Sequence, residues 1–352
     1  MMPIRQFLMD NSKHLVQHMR RRRAAMQTRR QMEETMLDAI ETVVEGTDPR
    51  LRLVSGYQKK MRPAIKSALH YISEAVEQIP EPIEISKRTW NSDPRVNAFF
   101  ATVGDLQIML SSSAKIRRFF EHGEQQEGYA LLAMAKQEKT VLRHQLEGEI
   151  LRREVPQVTI SFSEHHILAP SATEAETRRE LIRCAFNVLV KQALERLVCM
   201  QARKETLTDQ RRLLKIRRKF LQTERASLTS LLQTSESHAQ DLEDILQKMA
   251  ANKQTLLEAQ AGIGTLDDYL ERVNEVLAHP EDYLKLKMIT LRLNRLGVKV
   301  QDNSPEAGNE ITLTKLTVGK QITRVVALVK YFRDEMLSRE HLWEKTFRGL
   351  GD

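Results

Sequence analysis

Residues 200–228 read MQARKETLTDQRRLLKIRRKFLQTERASL, and their spacing governs how the rest of the chain is read. Stepping by sevens from Met200 meets Leu207, Leu214, Leu221 and Leu228. The same step continues through Ser235, Leu242, Met249, Leu256, Ile263, Leu270 and Leu277. All but Ser235 are apolar in a chain that is 41% apolar, an outcome chance gives roughly 4 times in 10,000 for one phase. Such a stripe predicts long helices that bury one line of side chains. A partner line at Ile245, Asn252, Ala259, Leu266 and Val273 completes a seam in the later half, with Asn252 as a register-setting polar residue. In the earlier half the matching positions are Lys204, Arg211, Arg218 and Arg225, with Leu213, Ile216 and Phe220 widening the apolar face. Thr234–Ser237 reads as a joint. Gly262 and Gly264 end the helical run, and Thr265, Asp267 and Asp268 restart it. These breaks make a helical hairpin within a bundle at least as good a fit as a dimeric coiled coil.

Working outward, composition supports a mainly α fold. Charged residues make up 29% of the 352, while Gly (13) and Pro (10) are scarce, which weighs against a sandwich or a disordered chain. Residues 4–45 read as one amphipathic helix, 50–79 as a second containing Pro63, and 80–95 as a proline-rich loop. Short helices are expected at 95–102, 103–110 and 113–121, and a longer one at 125–153, rich in Ala, Leu, Glu and Lys. Val158, Ile160 and Phe162 alternate with Thr159, Ser161 and Ser163, the clearest strand in the chain. Ser171 or Thr173 then caps the long helical region. Towards the end, helices at 266–278 and 281–296, a hairpin of 298–300 with 311–318, and a helix at 320–337 give the outline of a winged helix. The expected organisation is an N-terminal helical domain (1–153), a strand with the long heptad-patterned region (154–264), and a compact α+β unit (265–352).

Charge is concentrated in two places. Residues 1–30 carry eight Arg/Lys and only Asp10, and residues 203–219 carry eight Arg/Lys against Glu205 and Asp209. The net charge is +8, so the remainder of the chain is slightly acidic. Candidate interaction residues are Arg20, Arg21, Arg22, Arg23, Arg29 and Arg30 in the first patch. In the second they are Arg211, Arg212, Lys215, Arg217, Arg218 and Lys219. Such patches suit nucleic acid, another polyanion, or an acidic protein. Phe7, Leu8, Leu15 and Met19 beside the first patch would suit an anionic membrane surface. The helix-packing seam is Met200, Leu207, Leu214, Leu221, Leu228, Leu242, Met249 and Leu256.

No catalytic set emerges, so no enzyme, cofactor, metal or small-molecule substrate is inferred. Walker A and GxGxxG spacings are absent, and the histidines do not form HExxH. His14 and His18 sit at i, i+4 without nearby acids beyond Asp10. Glu164, His165 and His166 follow the strand, but adjacent strand residues face opposite sides and converge only across a bulge. Ser111–Ser113 lack a recognisable base. Cys184 and Cys199, about 22 Å apart on one helix, cannot bridge within it and suit a reducing compartment. With neither an 18-residue apolar run nor the apolar core of a secretory signal, a cytoplasmic setting is expected. The functional expectation is a helical interaction or scaffold protein that acts through protein partners or self-association. Nucleic-acid binding is the alternative, and membrane association through residues 1–30 the third reading.

Overall fold

A computed structural model describes residues 31–147, 150–224, 235–261, 264–300, 308–319, 322–338 and 341–342. Helix α1 covers 31–46 and is followed by a 3-10 turn, Pro49–Leu53, capped by the Asp48 side chain. Then come α2 (Tyr57–Glu77), β1 (Ile83–Ile85), α3 (Lys87–Ser92), α4 (Pro94–Phe99), α5 (Val103–Ser112) and α6 (Ala114–Glu121). The long strands β2 (Glu127–Glu147) and β3 (Ile150–Ser171) lead into α7 (Glu174–Glu224) and α8 (Ser235–Ala261). The chain closes with α9 (Leu266–Ala278), β4 (Leu284–Leu293), β5 (Asn309–Val318) and β6 (Ile322–Phe332). The class is therefore mixed α/β, not mainly α. Three segments expected as helices are strands: 125–153 is largely β2, 281–296 contains β4, and 320–337 contains β6. The winged-helix outline falls with them, because its second helix is β4.

The physical reason is non-local pairing. β2 is held on both sides, by β3 from Tyr129↔Ser171 to Glu147↔Ile150 and by β6 from Glu127↔Phe332 to Met134↔Val325. Two ladders outweigh the weak helix preference of its Ala, Leu, Glu and Lys residues. The strand order is β3-β2-β6-β5-β4, with β1 parallel to β6. β5 pairs β6 up to Val326 and β1 takes over at Val329, so the two share one edge of β6 in succession. The hairpin expected between 298–300 and 311–318 is also corrected: β5 pairs with β4 and β6. Residues 297–300 instead join the outer strands. Ile160 N donates to Gly297 O and Lys299 N to Val158 O, both at 2.8 Å, while Val300 N donates to Arg292 O at 2.8 Å. The sheet thereby closes on itself at this end, which removes part of its free edges. Gly297 has φ +72°, and a Cβ there would lie 2.8 Å from Ile160 O, so this closure requires glycine.

Contacts divide the chain into two units, each drawing on two stretches. The first comprises residues up to Ala68 with Leu189–Ala278, and the second Leu69–Val188 with residues from His279 onward. The first unit is helical, with Ile40, Val44, Met61, Ile65, Leu189 and Val273 fully buried. In the second, one sheet face packs on α4–α6 through Phe99, Phe100, Leu110, Leu132, Phe162 and Val329. Leu131, Ala133, Val326 and Leu328 on the alternate positions are buried as well. Both sheet faces are thus covered, and Thr177 Oγ1 of α7 donates to Tyr129 O. Arg178 holds the end of α2, donating from Nη1 to Val76 O (2.6 Å) and from Nη2 to Ile79 O (2.9 Å). Beyond Met134 the β2–β3 pair continues without β6, is joined at Val158–Ile160 by residues 297–299, and runs past Thr140 as a two-stranded arm.

Candidate functional site

The heptad stripe is read out in burial along α7 and α8. On α7, Ala193 and Leu197 are buried, and Met200, Lys204, Leu207, Arg211, Leu214, Arg218 and Leu221 are half-buried. On α8, Leu242 and Met249 are half-buried, while Ile245 (2% exposed), Asn252 (8%) and Leu256 (4%) are buried. The steps alternate four and three on each helix, the spacing of one line of side chains against a neighbour. Leu228 lies outside the described residues; of the expected joint at Thr234–Ser237 only Thr234 does, and residues 235–237 open α8. Asn252 Nδ2 donates to Leu207 O at 3.2 Å and to Gln210 Oε1 at 3.4 Å, placing the two helices side by side. Both helices extend about 25 Å from this contact to their connected ends, at 1.5 Å per residue over 17 residues. A parallel arrangement would require the 225–234 connection to span about 50 Å, beyond the roughly 40 Å its length allows. The helices therefore run antiparallel. Thr265 restarts the chain as read: Asp268 N donates to Thr265 Oγ1, and Asp268 Oδ2 accepts from Gly264 N and Thr265 N. These backbone donors hold the Asp268 carboxyl below its ordinary range.

The second basic patch divides on this geometry. Arg211 and Arg218 fall on the half-buried line towards α8, and Arg218 Nε is buried without a hydrogen-bond partner among the described residues. Arg212, Lys215, Arg217 and Lys219 are exposed. Arg212 pairs with Asp209 at 3.1 Å across two exposed side chains, a contact worth little in water. Leu213 and Ile216 are each 66% exposed, so they do not widen the packed face. At 100° per residue Ile216 lies opposite Leu214 and Arg218, and Leu213 beside it. The outer surface of α7 thus carries two uncovered aliphatic side chains with bases on both flanks. The signal was available in the sequence: 213 and 216 stand off the four-three alternation that 207, 211, 214, 218 and 221 keep. The first patch (Arg20–Arg23, Arg29 and Arg30) and the His14/His18 pair lie outside the described residues.

The other sequence candidates have structural roles. A register shift between Ala133↔His166 and Ala135↔Ser163 marks a bulge at Glu164, where φ is +51°. The two imidazoles still do not converge. His165 Nε2 donates to Phe99 O at 2.8 Å and its ring stacks on Phe100 at 4.8 Å. Burial pushes this imidazole below its ordinary pKa, only partly opposed by the Phe99 contact. Glu164 reaches Arg324 at 2.5 Å. Ser111 Oγ accepts from Leu337 N at 2.7 Å, and Ser113 Oγ caps α6 through Ile116 N. Their hydroxyls are engaged in holding backbone.

A cavity of about 350 Å³ opens beside α4, β3 and the 294–297 turn. Among the described residues Arg295 is its only ionisable lining residue, and the lining sets no acid or imidazole beside Thr159 and Ser161. Trp90 Nε1 is spent on Phe100 O (2.9 Å), and Asn294 Oδ1 on the N–H groups of Leu296 and Val298. The cleft offers shape but no acid–base pair. Among the described residues no cluster of three or more His, Cys, Asp or Glu could hold a metal, and no helix is long and apolar enough to cross a membrane. Compared with known proteins, the chain matches no family model, no curated protein and no solved structure.

Proposed function

We propose that the chain is a non-enzymatic helical interaction protein, and that its contact surface is the outer face of α7. One observation carries this reading: Leu213 and Ile216, each 66% exposed, lie among the exposed bases Arg212, Lys215, Arg217 and Lys219. A helix that buries one heptad line and leaves a second apolar, basic face uncovered is built to meet something acidic. The half-buried seam with α8 fixes that face by coiled-coil-type packing. Two free cysteines, Cys184 half-buried and Cys199 exposed, support a reducing, cytoplasmic setting.

The test is retention on a general polyanion, immobilised heparin. The full chain with Arg212→Gln, Lys215→Gln and Arg217→Gln together is expected to elute at clearly lower salt than the parent. Charge-neutralising changes at Lys248 and Lys253 of α8 should leave elution unmoved. Equal elution of the parent and the α7 variant would refute the proposal.

A further inference from the structure

The chemistry of this face is narrower than positive charge. We infer that α7 docks lengthwise on an anionic lipid surface, with Leu213 and Ile216 entering the headgroup–acyl boundary and the flanking bases meeting lipid phosphates. The inference rests on the reading above and names its partner.

Three observations favour lipid. First, residues 211–221, RRLLKIRRKFL, contain no amide or hydroxyl side chain, so beyond Arg and Lys they offer no hydrogen-bonding group and no Asn or Gln for an adenine edge. Arg and Lys would meet nucleic-acid phosphates, but against a phosphate backbone two aliphatic side chains 66% exposed stay in water, whereas a lipid surface buries them. Second, the order of charges around the helix fits a planar interface. Ile216 lies centrally, with Arg212, Lys215 and Lys219 on one flank and Leu213 and Arg217 on the other. Their long stems let each charge rise to headgroup level while the aliphatics go deeper. Third, the first thirteen residues of α8 (235–247) carry Glu236, Asp241, Glu243 and Asp244 and no Lys or Arg. This half of the pair is therefore basic on one helix and acidic on the other. An anionic surface attracts α7 and repels α8, which orients the pair with the aliphatic face down. The basic N-terminal segment of the chain carries the same sign as this face, so it does not complement it.

The experiment uses the full chain and sedimentation with phosphatidylcholine vesicles, with and without phosphatidylserine. Each base near such a surface contributes about fivefold in partitioning, so the Arg212/Lys215/Arg217→Gln variant should lose about a hundredfold. Leu213→Ser with Ile216→Ser, which changes only exposed side chains, should lose about tenfold or more. Duplex DNA anisotropy and light scattering are measured on the same samples. Binding to phosphatidylserine vesicles that falls in both variants supports the inference. Vesicle binding indifferent to Leu213→Ser and Ile216→Ser overturns it. Absent vesicle binding with salt-dependent DNA binding that the charge variant loses also overturns it, and leaves the polyanion reading standing. Self-association without vesicles that the serine variant abolishes assigns the face to a second copy and overturns it as well. If vesicles, DNA and heparin all fail to bind, both the inference and the reading beneath it fall.

Discussion

Replacing Asn252 by leucine is expected to stabilise the helical unit by about 1–2 kcal/mol, against the usual direction of core substitutions. Asn252 is 8% exposed between α7 and α8. Its Nδ2 has one good partner, Leu207 O at 3.2 Å, and a long one at Gln210. Its Oδ1 is buried with no partner among the described residues. Removing an unsatisfied buried oxygen recovers about 1–3 kcal/mol of desolvation, and losing the amide bond costs about 0.5–1.5 kcal/mol. Leu207 O keeps its helical N–H partner, and the exposed Gln210 returns to water. Burying a leucine adds about 1.5–3 kcal/mol, from which fitting its larger volume subtracts about 1–3 kcal/mol. Urea unfolding followed by helical circular dichroism should show the midpoint rise by about 0.5–1 M, given a slope of about 2 kcal/mol per M. A midpoint that falls by as much would refute the reasoning, because the amide would then be contributing more than its contacts supply. Light scattering gives a second readout. A seam without its polar residue is less specific in register, so the variant should also show more association than the parent.

Arg178→Met should lower the urea midpoint of tryptophan fluorescence by the equivalent of about 2–3 kcal/mol, since the guanidinium holds Val76 O and Ile79 O at the end of α2 with its side chain only 21% exposed; an unchanged midpoint would show that those carbonyls are satisfied without it. Stability should also depend on pH through His165. The unfolded imidazole titrates near pH 6.5 and the buried one lower, so on acidification the unfolded chain binds the proton first. His165 therefore contributes its full stability above about pH 6.5, and that contribution declines as pH falls through the window down to the folded pKa. The urea midpoint should drop across this window in the parent and drop less in His165→Phe, which keeps a ring on Phe100; equal drops would refute the assignment.

The local signals in the sequence were dependable where one face alone is buried. The α7–α8 stripe, the Asn252 position, the short helices α4–α6, the Thr265 restart and the 158–163 alternation were all legible. β2 and β6 were not, for a definite reason. Residues 130–135 and 325–329 are buried continuously because both faces of the sheet are covered there. A strand buried on both faces loses its period of two and reads like a buried helix. β4 is obscured for a different reason: its run LKLKMITLRL alternates as a strand does, but acids at 281–282 followed by bases at 285–295 also match the charge order of a helix.

The surface reading was partly legible. Both basic patches are visible in the sequence, yet the packing of α7 against α8 was needed to sort Arg211 and Arg218 from the exposed bases. The same packing leaves Leu213 and Ile216 uncovered. What the sequence determined by itself is what short-range spacing encodes: helical stripes, caps, turns and charge. What only the tertiary structure decided is the sheet, its closure through residues 297–300, and which side of α7 faces outward. Each of these depends on groups far apart in the chain, whose pairing energy exceeds the few tenths of a kcal/mol by which a residue prefers one backbone conformation over another.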